Sequence, residues 1–513
     1  MKFIIFLALY FTSILCADQY PTVVTSNGII QGILESSGVR SFKGIPYAQP
    51  PVGALRWREP QPPNNWNGTL KADKFGPAAM QRKIFSDMIL RSNGISEDCL
   101  YLNVWTPNKS GNEKLPVLVY FYGGGFKAGD GSEARYDGES MAQKNIIVVT
   151  LNYRLGIFGF YSHPELTMES PNYSSGNYGL KDQHAALLWV QKNIEAFGGD
   201  AQKITIGGES AGSFSVSAHL ASPLSRKLRL NGAIAESGSM LAKSGLSPVP
   251  LSVAEQVGLK FSKSIGASSL ADLRAIPADK LLNMTASTSF PTTIDNHFLV
   301  EYPLTVYEKG NQIKVPLLSG WNSAEVEYHS LLGRDEPTLT NYKKVVKQLY
   351  NEHAGDVLRL YHAETDADVP KVATDLAADR FIVYNTWKFI DVHSRTSGSA
   401  VYRYLFSRKR PPYKDIGAPH APEIDYAFGN LRYNKFFNWT SVDYEVSSSM
   451  LLYFVNFIKI GNPNGQGLAF WSKLQNKPPK VMDIDENIQS RPEKNRARYL
   501  LLDSLESKMN NKI

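Results

Sequence analysis

Seven residues at positions 207–213, Gly-Gly-Glu-Ser-Ala-Gly-Ser, set one serine, Ser210, among three glycines, two other small residues and a single carboxylate. The β-branched run Lys-Ile-Thr-Ile precedes them, and Ser-Phe-Ser-Val-Ser-Ala-His-Leu-Ala-Ser, with helical potential, follows. The stretch reads as a strand turning sharply into a helix. A turn that tight imposes backbone angles unfavourable to bulky residues and brings a neighbouring element close, which glycine and alanine tolerate. Gly208–Gly212 also fits the pattern Gly-x-Ser-x-Gly, in which a strained turn presents a serine as a nucleophile. A serine hydroxyl is a weak nucleophile on its own. It needs a base to take its proton, a carboxylate to orient that base, and N–H donors aimed at the oxygen that becomes negative during attack.

Donors are available in Tyr-Phe-Tyr-Gly-Gly-Gly-Phe at 120–126, which follows an apolar strand. There Gly124 and Gly125 offer backbone N–H groups without a side chain to block an approaching substrate. Ala211, just after the serine, offers a third. In the α/β-hydrolase arrangement to which this motif belongs, the partners follow in the order serine, acid, histidine. Of the nine histidines, His163, His184, His219 and His297 come too early, and His329 follows the acid candidates too closely. His353, His362 and His393 fall in helical patterns. His420 remains, in the Gly- and Pro-rich stretch Asp-Ile-Gly-Ala-Pro-His-Ala-Pro-Glu-Ile-Asp-Tyr-Ala-Phe-Gly after a strand, so it is the candidate base. The acid belongs on a loop after a strand, and Val-Pro-Leu-Leu-Ser-Gly-Trp-Asn-Ser-Ala-Glu-Val-Glu-Tyr-His supplies Glu325 and Glu327. The residues alone do not separate these two.

The elements that must position this constellation are legible from hydrophobic patterning. The segment 22–51 alternates apolar and polar residues about Asn27-Gly28 and Ser37-Gly38, which predicts antiparallel hairpins. Near-continuous apolar runs at 115–122, 145–153, 203–208, 232–237, 315–320 and 401–407 predict strands buried on both faces. Helical patterns separate them, including 182–200, which closes on Gly198-Gly199. This alternation predicts an α/β fold: a large, mostly parallel central sheet flanked by helices, with N-terminal antiparallel hairpins and long helical insertions between about 245 and 400. Insertions there cap the carboxyl edge of the sheet, where open α/β sheets bind ligands.

The 513 residues are 43% hydrophobic and 20% charged, with a formal charge of +7. No linker, repeat or low-complexity run divides them, so one large domain over 18–513 is expected in preference to several. The densest basic stretch, Ser-Arg-Pro-Glu-Lys-Asn-Arg-Ala-Arg at 490–498, is interrupted by a glutamate and reads as solvated surface; no nucleic-acid partner is expected. Residues 1–17, one lysine and then an apolar run ending in Leu-Cys-Ala, read as a secretory signal cut after Ala17, shorter than a membrane span usually needs, with an uncleaved anchor as the alternative. Its removal leaves Cys99 as the single cysteine, packed as a small apolar residue, with no intrachain disulfide. The expected location is secreted or periplasmic. The sequence sets no oligomeric state.

Together these stretches resemble the type-B carboxylesterases, the α/β-hydrolase family that includes the cholinesterases. Phe-Lys-Gly-Ile-Pro-Tyr-Ala-Gln-Pro-Pro-Val-Gly-Ala-Leu-Arg-Trp, Ser-Glu-Asp-Cys-Leu-Tyr-Leu-Asn-Val-Trp-Thr-Pro, Tyr-Gly-Gly-Gly-Phe, Asn-Tyr-Arg-Leu-Gly-Ile-Phe-Gly-Phe, Gly-Asn-Tyr-Gly-Leu-Lys-Asp-Gln-His-Ala-Ala-Leu, Phe-Gly-Gly-Asp, Gly-Glu-Ser-Ala-Gly, Gly-Ala-Pro-His-Ala-Pro-Glu-Ile-Asp-Tyr-Ala-Phe-Gly and Gly-Asn-Pro-Asn look like that family's blocks in that family's order. They span nearly the whole chain after the signal, and their wording is closer to bacterial members. The resemblance implies an esterase that attacks a small-molecule carboxylic ester through a covalent acyl-enzyme, with Ser210 as nucleophile, His420 as base and Glu325 as acid. It also implies an oxyanion hole of Gly124, Gly125 and Ala211, and no metal or other cofactor. It favours Glu325 over Glu327 through the retained Gly320 and Asn322, although Ala324 and Val326 depart from the family's Asp-Glu-Gly stretch. Glu209 and Ser237 correspond to accessory polar residues behind the triad, and Arg154 with Asp182 to a structural ion pair. Ala79 and Met80 stand where many secreted relatives have a cysteine, and loop 82–96 lacks the tryptophan with which cholinesterases hold a quaternary ammonium. Choline esters are therefore not the expected substrate. Phe126, Phe290, Trp321 and Phe381 are the aromatic candidates for a substrate pocket, with burial in the core as the default for each.

Overall fold

The computed structural model describes residues 20–107, 112–243, 246–285, 287–409, 417–475 and 478–510; the signal expected over 1–17 lies outside them. The chain forms two compact units, 1–207 with 222–232 and 248–301, and 208–221 with 233–247 and 302–513.

The first unit opens with both predicted hairpins. Thr22–Thr25 pairs antiparallel with Gly28–Gln31, closed by Thr25 opposite Gly28. Ile33–Leu34 pairs antiparallel with Val39–Pro46, and Gly38 turns the chain at φ +83°. Leu115–Phe121 runs parallel to Ile147–Leu151, with Val117 opposite Ile147. On its other side Ile147–Leu151 meets Tyr101–Pro107 antiparallel. Patterning did not flag that last strand, because Asn103 and Thr106 interrupt its apolar run, yet six of its seven residues are buried. Helix Tyr178–Asn193 continues as a tighter turn over Ile194–Phe197 and ends at Gly198, φ +86°, where the double glycine predicted a stop. It brings Asp182 to Arg154 in a buried ion pair at 2.7 and 2.8 Å. Cys99 is a buried free thiol, and burial raises its pKa well above the ordinary value.

The second unit is built on four parallel strands. Ala233 lies opposite Leu317, Leu317 opposite Val401, and Tyr404 opposite Met482; Gln489–Pro492 then adds antiparallel to Lys480–Ile484. Leu317–Asn322 is buried at every position, as expected of a strand covered on both faces. Helix Ala211–Ala221 is likewise buried throughout. Ser441–Ile460 starts at a capping box of Thr440 and Asp443 and stops at Gly461, φ +67°. Val369–Ala378 and Tyr384–Thr396 are joined by a π-turn over Asp379–Val383.

The basic stretch 490–498 is largely exposed, as expected, but two of its cations also pack on rings of the unit. Arg496 stacks over Trp387 and Arg498 over Tyr361, and Arg498 pairs with Asp375 at 3.1 Å. These guanidinium groups fasten helix Arg496–Asn510 to the unit rather than facing only water. His362 departs from expectation, lying in a loop after helix Ala354–Leu360 rather than within a helix.

Candidate active site

Strand Gly199–Glu209 ends one residue before Ser210, and helix Ala211–Ala221 begins one residue after it. Ser210 itself takes φ +52°, a left-handed value costly for a residue with a Cβ and typical of over-determined functional turns. Two hydrogen bonds hold it there: its amide donates to Glu236 O at 2.9 Å, and its carbonyl accepts from Phe214 N at 3.0 Å. A Cβ on Gly238 would stand 2.8 Å from the Ser210 carbonyl, so the following strand's exit is bare where it passes the turn. Ser210 is buried, with 8% of its surface open.

The acid and the base sit on two loops laced to each other. Ala324 N donates to Ala418 O at 2.8 Å, Ala418 N donates to Ser323 Oγ at 2.9 Å, and the Asn322 amide side chain donates to Pro419 O at 2.7 Å. Gly417 adopts φ +120°, and a Cβ there would come within 2.7 Å of Ser323 Oγ, which is why the crossing needs glycine beside the small Ala324. The lacing delivers His420 Nδ1 to Glu325 Oε2 at 2.6 Å. The other Glu325 oxygen accepts from Asn322 N at 2.7 Å and Ser237 Oγ at 2.6 Å. Glu325 is fully enclosed, whereas a quarter of the imidazole stays open. Glu327, the other acid candidate, points outward with 41% of its side chain exposed and lies 3.5 Å from His329.

The second imidazole nitrogen, Nε2, stands 3.1 Å from Glu209 Oε1, on the residue adjoining Ser210. Burial alone would lower the His420 pKa. The charge of Glu209, the hydrogen bond and charge of Glu325, and the charge of Glu423 outweigh that and raise it. Glu423 is a carboxylate that sequence reasoning missed. It is fully buried, accepts from Asn322 Nδ2 and lies 3.5 Å from Ser237 Oγ. Burial and then repulsion from Glu325 push its pKa up to about 7. Its only sequence signal was an acidic residue three positions after the candidate base.

Glu325, His420, Glu209 and Ser237 thus gather in one unit, with Asn322 and Glu423 as additional braces, and Ser210 follows Glu209 in the chain. Ser237, at φ +51°, takes its accessory place through Glu325, to which its hydroxyl donates. Ala211 is buried at the start of its helix. Gly124 and Gly125 form a turn in the other unit at φ +109° and +64°, closed by hydrogen bonds from Lys127 N and Ala128 N to Gly124 O. A Cβ on Gly124 would collide with the Ala128 carbonyl.

The four aromatic candidates divide. Phe126 packs on Phe160, Phe290 on Tyr161 and Phe261, and Trp321 under Arg403 beside Tyr499. Phe381 is different: it keeps 44% of its surface open and sets its ring edge-to-face with the His420 imidazole, centroids 5.5 Å apart.

The chain matches known proteins over nearly its whole length. The family model described as "Carboxylesterase family" matches residues 19–500. The chain is 34% identical to the fumonisin B1 esterase of Sphingopyxis macrogoltabida over 472 residues, 88% of this chain and 84% of that one. It is 33% identical to the bile salt-activated lipase of Bos taurus, covering 92% and 85%. It is also 33% identical to the juvenile hormone esterase of Tribolium castaneum, covering 94% and 92%.

Proposed function

The chain belongs to the carboxylesterase family of α/β-hydrolases and hydrolyses carboxylic esters, and from that premise we propose that Ser210, His420 and Glu325 carry the reaction. The observation that supports this most is the 2.6 Å contact between His420 Nδ1 and Glu325 Oε2. In this reading Glu325 holds a proton on Nδ1, so the neutral ring carries its lone pair on Nε2, the nitrogen that stands 3.1 Å from Glu209, the residue before Ser210.

Neutral His420 takes the Ser210 proton as Oγ attacks the ester carbonyl. The N–H groups of Gly124, Gly125 and Ala211 receive the oxyanion. Imidazolium then returns the proton to the alkoxy oxygen as the C–O bond breaks, and the alcohol leaves. Water repeats the sequence on the acyl-enzyme and frees the acid. Glu325 stabilises the imidazolium, and Ser237 and Asn322 hold Glu325 in place. Glu209 favours the protonated ring that forms in each half-reaction. No step draws on a metal or organic cofactor, and the substrate is a small-molecule ester, not a nucleic acid. The names of the three relatives point to different esters, so family membership leaves the alcohol and the acid open.

Residues 1–17 act, in this reading, as a signal removed after Ala17, leaving 18–513 as one secreted or periplasmic hydrolase domain. Among the described residues no helix is long and apolar enough to cross a membrane.

Partitioning with an added alcohol tests the acyl-enzyme. Acetate esters of several alcohols, hydrolysed in the presence of methanol, should all give the same ratio of methyl acetate to acetic acid, because they share one intermediate. A ratio that changes with the leaving alcohol would contradict a common acyl-Ser210.

A further inference from the structure

The π-turn at Asp379–Val383 places its side chains where an α-helix would not. The Tyr384 amide donates to Asp379 O, five residues back, and the extra residue rolls Arg380 and Phe381 out of the buried stripe that Ala373, Leu376 and Ala377 begin. π-Turns of this kind recur at functional positions. This one is pinned on both sides of its open residues. Asp379 accepts from Tyr361 OH at 2.7 Å, and Arg380 donates to Tyr350 OH at 3.0 Å while stacking over that ring at 5.3 Å. Farther along, the loop after Ser237 grips the next helix: Ser239 N donates to Asn385 Oδ1 at 3.1 Å, and Ser239 Oγ donates to Asn385 O at 2.6 Å. The result is a large apolar ring, open over 44% of its surface, held against the candidate base. A half-open phenylalanine tied down by four hydrogen bonds on its neighbours is not explained by core packing.

Stereochemistry decides which part of an ester meets that ring. At the tetrahedral carbon the four substituents are Ser210 Oγ, the oxyanion, the acyl chain and the leaving oxygen. His420 must reach the leaving oxygen within about 2.6–3.2 Å to protonate it. The group bonded to that oxygen is therefore the one beside the imidazole, and Phe381 lies on the imidazole at a centroid distance of 5.5 Å. The acyl chain is directed away from it.

We propose that Phe381, presented by the π-turn, forms the wall of the leaving-group subsite and selects esters of apolar alcohols over those of small or charged alcohols. The assignment rests on His420 being the base of the reaction proposed above. Phe381 shapes specificity; it exchanges no proton.

The test compares wild type, Phe381→Ala and Phe381→Leu on two ester series: acetates of methyl, butyl and benzyl alcohol, and methyl esters of acids of two to six carbons. Loss of one apolar contact face lowers discrimination by about tenfold. Phe381→Ala should therefore reduce the benzyl-to-methyl ratio of kcat/KM by about tenfold, Phe381→Leu should recover most of it, and the acyl-length profile should keep its shape. The rate of Ser210 phosphonylation by a reagent with a small leaving group reports the triad separately. Normal labelling with an alcohol ratio unchanged by Phe381→Ala, or with an altered acyl profile instead, overturns the subsite. Absence of labelling in wild type overturns the catalytic reading on which it stands.

Discussion

Replacing Glu209 with glutamine removes the carboxylate that faces His420 Nε2 at 3.1 Å while keeping the side chain's size. The carboxylate favours imidazolium, so it holds the His420 pKa up, and the base is neutral only above that pKa. The acid limb of kcat/KM therefore lies above the range of an ordinary imidazole, and removing Glu209 moves it to lower pH. A unit-charge pair at this separation is worth about 1.3 kcal/mol with the dielectric of water and about 5 kcal/mol at an effective dielectric of about 20, and about 1.4 kcal/mol corresponds to one pH unit. A quarter of the imidazole is open to solvent, which places the effect in the lower half of that span. The limb should move down by about one to two pH units. The assay is kcat/KM for a short-chain ester from pH 5 to 10, fitted for the position of the limb rather than its height, with thermal denaturation to verify that the variant is folded. A limb that stays in place, or moves to higher pH, would refute the argument that Glu209 tunes the base.

Other consequences follow from the same geometry. Glu325→Gln should lower kcat by about 10⁴-fold through loss of the oriented tautomer, while Glu327→Gln should stay within a factor of about three; equal effects in steady-state assays would undo the assignment of the acid. Ser237→Ala deprives a buried carboxylate of one donor and should cost about 1.5–3 kcal/mol of stability in denaturant titrations. Glu423 has its pKa raised in the folded state, so its ionisation costs stability as pH rises from the ordinary carboxylate range to about 7. Glu423→Gln should therefore gain on wild type across that interval by on the order of 1–3 kcal/mol and hold a constant gain above it, and a gain independent of pH would contradict the shift. Gly417→Ala forces a Cβ toward Ser323 Oγ at φ +120° and should reduce kcat more than it lowers the melting temperature, because the strain falls on the loop carrying His420.

The nucleophile's turn was legible because its requirements are local: β-branched residues, a run of small ones and a helix former specify a strained strand-to-helix corner within a dozen positions. His420 was legible by order along the chain and by its loop composition. Choosing between Glu325 and Glu327 from residue types alone was not possible, since beyond Asn322 the chain leaves the strand and period-two alternation no longer sets direction. Asn322 N and Ser237 Oγ turn one glutamate inward, and Ser237 lies 88 residues away in sequence from that partner. Glu423 and Asn322 were hidden for the same reason, as their burial depends on two distant loops meeting. Phe381 took burial in the core as its default from its apolar type alone, and the π-turn that turns it outward leaves no signal in residue types. The strands Tyr101–Pro107, Lys480–Ile484 and Gln489–Pro492 carry polar residues satisfied by neighbours that patterning does not see. The exposure of 490–498 was legible from its charge, but not the stacking of Arg496 and Arg498, because the rings that receive them, Trp387 and Tyr361, lie a hundred residues or more upstream.

The most direct test of the central claim is peptide mass mapping after stoichiometric inactivation by an organophosphonate, run in parallel on wild type and Ser210→Ala. The account predicts one phosphonyl adduct per chain, located on Ser210, with ester hydrolysis lost in step with labelling and lower by ~10⁶-fold in the variant. An adduct on another residue, or hydrolysis that survives in Ser210→Ala at the wild-type rate, would contradict it.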